Sequence, residues 1–236
     1  YDLKKEIFKY LFFWRWFVFS IILCLIISFF YLRYSHDIYS TSAKIKILDE
    51  NEGLELPTAG IFLNRSKINL ENDIVSLIQT QEKHFEELYI VGNNPVIWEQ
   101  HLDSDRWKLD NFRKYIDGGL NNKEGSYTII DKKINEIIGT TRYYSFNQEE
   151  LSVKIGYTFI SNKYWGTHMN YQIKKLMLDY IFQFLDKVYF NIWKTNYRSL
   201  KSIEKLGGKK LSLDKNNKYL YLLEKKVWKN LILNQP

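Results

Sequence analysis

Between a strand-like run and an amphipathic helix lies Tyr164-Trp165-Gly166-Thr167-His168-Met169-Asn170, a turn whose residue types and position suit it to hold a pyrophosphate. The first turn of a helix offers backbone N–H groups without intrahelical partners, together with the positive end of the helix dipole. An anion therefore sits there without a dedicated cationic side chain. Gly166 lets the backbone come close to it.

The elements that must position this turn are readable on both sides. Before it, Val153–Ile160 alternates as a strand, preceded by a strand over Glu136–Tyr144 and a polar turn around Asn147. After it, Ile173, Leu176, Met177, Tyr180, Ile181, Phe184 and Leu185 recur at spacings of three and four, which places one apolar stripe on a helix starting near Met169. Lys187–Trp193 then reads as a β-branched and aromatic strand. Asn196-Tyr197-Arg198-Ser199 opens a short helix with Leu200, Ile203 and Leu206 on one face, and Gly207-Gly208 closes it. A last strand-like run spans Lys218 to Leu223.

In order and spacing, "IIGTTRYY", "VKIGYTFISNKYWGTHMN", "KKLMLDYIF" and "TNYRSLKSIEKLGGK" resemble the GNAT acetyltransferases, in the subgroup of ribosomal-protein and amino-sugar N-acetyltransferases, from about Gln79 to Trp228. The resemblance implies an α/β (α+β) fold whose mixed sheet, flanked by helices, is splayed open by acetyl-CoA, and direct acyl transfer from the thioester to an amine. It places the pyrophosphate on Lys163, Trp165, Gly166, Thr167, His168, Met169 and Asn170, and the pantetheine along the strand through Ile155 and Tyr157. Asn196 matches the family's asparagine that contacts the cofactor or a water near the leaving thiolate, with Arg198 and Ser199 beside it. "NNPVIWEQH" followed by "DRW" resembles the subgroup's loop that walls the acceptor pocket, which makes Trp98, Glu99 and His101 substrate-binding candidates. The plainer reading of those three is a packed tryptophan, a solvated glutamate and a loop histidine without a catalytic role.

Two positions depart from the family. The pyrophosphate loop commonly runs Gln/Arg-x-x-Gly-x-Gly/Ala, and here Lys163 stands first and His168 last. The family's frequent glutamate two residues before the glycine of the "IGY" strand is Lys154, whose ammonium cannot accept an amine proton unless its pKa is strongly lowered. No general base is carried over. Glu149 and Glu150 are the nearest alternatives in sequence, or simply part of a polar turn.

The N-terminal part reads differently. Leu11 to Leu32 is interrupted only by Arg15, and at ~1.5 Å per residue its helix covers roughly 33 Å, enough for a bilayer core. A transmembrane helix over about 11–32 is therefore expected, with Trp14, Trp16, Tyr31 and Tyr34 at the interfaces. Lys4, Lys5 and Lys9 precede it, Arg15 lies near its start and Arg33 alone follows closely, a bias that keeps the N-terminus in the cytoplasm and exports the rest. The segment up to about Leu77 also resembles the start of Wzz-type polysaccharide chain-length determinants, without their long helical domain and second membrane helix. Residues 1–77 are thus expected to form a Wzz-like arm with a short strand, and 78–236 the transferase domain. A bacterial inner-membrane location follows, with the transferase cytoplasmic because acetyl-CoA is, although the charge bias points the other way.

The net charge of +7 divides into nine basic against eight acidic residues up to Asn72, and twenty-five against nineteen after it. These charges are spread over many elements and no RNA-binding signature is present, so no nucleic-acid partner is expected; attraction to the CoA phosphates is the simpler meaning. Cys24 lies within the apolar run, where it can be neither disulfide partner nor nucleophile. His36, His84, His101 and His168 lack the spacing of a helical zinc site, so no metal is expected. Three classes follow: a tethered acetyltransferase acting on a small-molecule amine or a nucleotide-linked amino sugar, a non-catalytic membrane interaction protein or truncated chain-length determinant, and an acetyltransferase of a ribosomal protein.

Overall fold

The computed structural model describes residues 14–34, 44–47 and 68–233, and the chain divides into two compact units, Tyr1–Ser40 and Thr41–Gln235. In the first, helix α1 (Trp14–Tyr34) exposes apolar side chains on every side, Trp16, Phe19, Ile21 and Leu25 among them. Among the described residues, however, no helix is long and apolar enough to cross a membrane; residues 11–13 of the span expected over 11–32 lie outside them. Arg15 and Arg33 leave only seventeen uncharged residues between them, about 26 Å of helix against ~30 Å of hydrocarbon. Gly53 to Gly60, which its glycines and Pro57 mark as a loop in the sequence, lies outside the described residues.

The second unit holds strands β1 (Lys44–Ile47), β2 (Ile68–Glu71), β3 (Val75–Gln79), β4 (Ser126–Asp131), β5 (Glu136–Asn147), β6 (Ser152–Ile160), β7 (Lys187–Trp193), β8 (Lys209–Leu213) and β9 (Lys218–Glu224). They form one sheet in the order β1-β2-β3-β4-β5-β6-β7-β9-β8, antiparallel throughout except for β6 beside β7. The helices are α2 (Phe85–Gly92), α3 (Pro95–Trp98), α4 (Leu109–Leu120), α5 (Met169–Ile181), α6 (Tyr197–Lys205) and α7 (Lys225–Leu233). The chain does not divide at residue 77. That boundary falls inside β3, which pairs with β4 along its whole length, and Asn72 Nδ2 donates to Gln172 Oε1 of α5 at 2.9 Å.

Two apolar clusters form the core. The larger gathers Ile173, Leu176, Met177 and Ile181 of α5 against Val153 and Ile155 of β6, Val188 of β7 and Leu77 of β3. The stripe read from the sequence is thus the buried face of α5, and each such side chain contributes ~1.5–3 kcal/mol. The smaller cluster packs Phe85, Leu88, Trp98, Phe112, Tyr115 and Ile116 of α2, α3 and α4 against Phe159 of β6.

Strand β6 contributes to both clusters because it is bulged. Arg142 pairs with Gly156 and Thr140 with Phe159, so β6 carries one extra residue, and Tyr157 has a φ of 47°. An extra residue inverts the in-out alternation of a strand. Val153 and Ile155 therefore face one cluster while Tyr157 and Phe159 face the other side.

Deleting the first forty residues is expected to leave the second unit folded. A chain beginning at Ser76 is expected to lose several kcal/mol, because it removes buried Leu70 and Val75 and the Asn72 bond. Thermal unfolding of the two shortened proteins checks this, and equal melting temperatures would count against it.

Candidate active site

The parallel pair of β6 and β7 opens partway along its length. Strand β6 meets β7 only through Ser152, Val153 and Lys154, opposite Lys187, Val188 and Tyr189. Among the described residues, β6 has from Ile155 onward a strand neighbour only in β5, and β7 has from Phe190 onward one only in β9. A gap therefore opens between the two strands, bordered by backbone groups that an extended, amide-bearing chain can satisfy. Ile155 is 1 % exposed, so its backbone, not its side chain, faces that gap. The bulge at Tyr157 lies beside it.

The turn after β6 leads into the N-terminus of α5. Lys163, Gly166, Thr167 and His168 are exposed, and Tyr164 and Trp165 are half-buried. Thr167 is fixed by its hydroxyl, which donates to the Tyr164 carbonyl at 2.7 Å and accepts from Met169 N at 3.3 Å. Gly166 adopts a φ of 75°, and a Cβ placed there meets no atom within 4 Å. The glycine therefore serves the backbone conformation and leaves open space over the helix N-terminus, not a tight internal packing. Met169 is buried in the core, Asn170 Nδ2 donates to Ser202 Oγ at 2.8 Å, and the His168 ring lies 4.6 Å from that of Tyr171.

Asn196 is buried and caps α6, its Oδ1 accepting from Ser199 N at 3.2 Å. The helix ends at Gly207, φ 85°, where Gly208 N donates to the Ile203 carbonyl at 2.9 Å. Arg198 links the expected cofactor and acceptor residues. Its guanidinium covers the Trp165 ring at 3.7 Å and donates from Nη1 to Glu99 Oε1 at 3.2 Å, and its backbone N donates to Gln100 Oε1 at 3.4 Å. Glu99 is exposed and occupied by this ion pair.

Trp98 requires a correction. It is 1 % exposed, rests against Phe159, Phe112 and Tyr115, and donates from Nε1 to the Gly92 carbonyl at 2.8 Å. Its ring has no surface to offer a ligand, so it shapes the wall from within. His101 stands edge-on to it, and burial, together with the charges of Arg106 and Arg198, lowers its pKa to about 4. A neutral imidazole of that basicity is a weak proton acceptor at neutral pH. Glu149 and Glu150 lie in the turn joining β5 to β6, their backbone N–H groups bonded to Asn147 Oδ1, at the end where β6 and β7 are still paired.

A pocket of about 460 Å³ lies on the α4 side of the bulge. Asp103, Asp105 and Arg106 line it from the turn before α4, Asn111, Lys114, Tyr115 and Gly118 from α4, Arg142 and Tyr144 from β5, and Tyr157 from β6. Of these, the sequence marked Tyr157 and, through the "DRW" stretch, Asp105 and Arg106. Arg142 carried a signal, as the one charged residue from Ile137 to Asn147.

These features coincide with a known family. A family model for the acetyltransferase (GNAT) domain matches residues 75–209, more than half of the chain. The chain belongs to the GNAT acetyltransferases. It is thus an acetyltransferase that uses acetyl-CoA. Among solved structures, a GCN5-related N-acetyltransferase from Brucella melitensis superimposes on this GNAT enzyme with a TM-score of 0.60 at 14% identity, over 69% of this chain and 81% of the other. FdhC, a nucleotide-linked sugar GNAT, gives 0.53 at 20% identity over 68% and 92%. The spermidine N-acetyltransferase from Vibrio cholerae, solved with CoA and spermine, gives 0.54 at 14% identity over 67% and 100%. Among curated proteins none matches significantly.

Proposed function

We propose that this GNAT enzyme acetylates a primary amine of a small molecule, an amino sugar or a nucleotide-linked amino sugar in the setting of surface polysaccharide synthesis, with a protein N-terminus as the second reading. The observation that carries the proposal is the meeting of two spaces at Tyr157: the gap between β6 and β7 on one side, and the pocket lined by α4 and β5 on the other. In this reading the pantetheine runs along the backbone of Ile155 to Tyr157, and the pyrophosphate rests over Gly166 at the α5 N-terminus, with Lys163 and His168 beside it. The amine enters from the pocket and attacks the thioester carbonyl at the bulge. Carbon–nitrogen bond formation then expels the CoA thiolate, and the amine proton leaves through the pocket.

FdhC acts on a nucleotide-linked sugar and the Vibrio enzyme on spermidine, so both acceptor types occur on this fold. The pocket favours the sugar, because it is small and mixes donors with carboxylates instead of presenting an acidic channel for a polyamine. A panel containing glucosamine, a nucleotide-linked amino sugar, spermidine and a peptide N-terminus, read by mass spectrometry of the acetylated product, tests the assignment. Turnover of spermidine alone would refute it.

Lys154 borders the last paired rung of β6 and β7. Lys154→Glu is expected to leave turnover intact or raise it by supplying a proton acceptor. A loss beyond about tenfold, ~1.4 kcal/mol, would assign the lysine a positive role.

For location, the reading is that α1 holds the enzyme against the bacterial inner membrane by its exposed apolar surface, with the catalytic unit on the cytoplasmic side that supplies acetyl-CoA. Removal of residues 1–40 is then expected to shift the protein from the membrane fraction to the supernatant. A full chain found wholly in the supernatant would contradict this.

A further inference from the structure

We infer that the acceptor is an anionic amine, and that Arg142 is the residue that reads its negative group; the inference rests on the acetyltransferase reading and narrows its substrate class. Arg142 is 4 % exposed, yet among the described residues it forms no ion pair. Its guanidinium is held between the rings of Tyr115, at 4.5 Å, and Tyr157, at 4.8 Å, and donates from Nη2 to the Tyr115 carbonyl. Its Nε is buried with no hydrogen-bond partner.

A buried cation without a counter-charge is costly, and two aromatic faces offset only part of that cost. What remains has to be met from outside the protein. Gly118 and Gly119 of α4 allow the close approach, since a Cβ on Gly119 would lie 3.0 Å from Nη2 and one on Gly118 3.4 Å from Nη1. Arg142 lines the pocket, from which an outside group can reach it.

The other charges of the pocket point the same way. Asp103 is paired with Arg106, and Asp105 with Lys108 at 3.8 Å and with Asn111 Nδ2 at 2.8 Å. Lys114, exposed on α4 at the pocket wall, has no ion pair among the described residues. The carboxylates are thus occupied and two cations are available. A phosphate or carboxylate on the acceptor fits that balance, with the fork of Arg142 taking it and Lys114 adding charge from the rim. A polyamine would meet uncompensated like charge instead.

The experiment compares glucosamine, glucosamine 6-phosphate and a nucleoside-diphosphate-linked amino sugar, both for binding by calorimetry without acetyl-CoA and for turnover with it. The phosphorylated amines are expected to bind at least tenfold more tightly than glucosamine, and preference for the monoester or the diphosphate identifies which source of phosphate the pocket takes. Lys114→Ala is expected to reduce the preference, and Arg142→Gln to abolish it. Should Arg142→Gln fail to fold, the wild-type comparison and Lys114→Ala still decide the matter. Equal binding of glucosamine and its phosphate would overturn the inference even where amines are acetylated. Absence of acetyl transfer to every amine, with the phosphate preference in binding retained, would instead count against the transferase reading and leave the anion site standing.

Discussion

Replacing Gly166 with valine is expected to abolish measurable acetyl-CoA binding, a loss of at least ~100-fold or ~2.7 kcal/mol, in a protein that remains folded. Both parts follow from the backbone. A Cβ at Gly166 meets nothing within 4 Å, so no core atom is displaced. The φ of 75° nevertheless lies in the region that a β-branched residue avoids at a cost of ~1–2 kcal/mol, so the turn relaxes away from its shape. The new methyl groups also occupy the space over the α5 N-terminus where the proposed site places the pyrophosphate. Calorimetry of acetyl-CoA binding, with circular dichroism to confirm the fold, reads the outcome. Unchanged affinity would remove this turn from the cofactor site.

The second large effect concerns stability. Lys174 of α5 is 5 % exposed and donates from Nζ to Thr158 Oγ1 at 2.8 Å, and burial lowers its pKa to about 7. The unfolded chain has an ordinary lysine, pKa ~10.4, so between about pH 7 and 10.4 the unfolded state binds the additional proton. Stability attributable to this residue therefore rises as pH rises through that window, and below about 7 the full penalty of the buried charge is present. Lys174→Met preserves length and removes the ionisable group. It is expected to stabilise the protein by roughly 1–4 kcal/mol at pH 7 and to flatten the dependence between 7 and 10. A destabilised variant, or one whose pH dependence matches the wild type, would show that the Thr158 bond outweighs the burial cost.

The sequence made one side of the sheet legible and left the other obscure, for physical reasons. The stripe Ile173, Leu176, Met177, Tyr180 and Ile181 is a large, regular apolar face, and it became the buried face of α5. Strand β7 and the capped helix α6 fell where their alternation and their Asn196 and Gly207 signals placed them. Helices α2 and α4 were missed because glycines stand at contact positions in both. Gly92 lies against the Phe112 ring, which a Cβ would meet at 2.2 Å, and Gly119 against Ser126 Oγ and Arg142. The apolar period is broken where a glycine makes room for a neighbouring side chain. Strand β8 is exposed along its length and carries no alternation. The boundary at residue 77 failed because β3 is held by β4, some fifty residues away, and local pattern does not record such a pairing.

The site divided in the same way. The turn at Gly166 and the cap at Asn196 are local motifs and were readable. The pocket was readable only in its "DRW" turn and in Arg142, because the rest is assembled from a helix and two strands that lie far apart in the sequence. For Trp98 the plainer of the two readings, a packed tryptophan, is the one its burial in the smaller core supports. The inversion at Tyr157 also escaped notice, since a bulge is a mismatch between two strands and not a property of either.

The most direct test of the account is release of free CoA from acetyl-CoA by the purified protein with a phosphorylated amino sugar, with the acetylated amine identified by mass. The account predicts one CoA thiol for each acetylated amine, and loss of both signals in Gly166→Val. A folded wild-type protein that binds no acetyl-CoA and releases no thiol with any amine would contradict it.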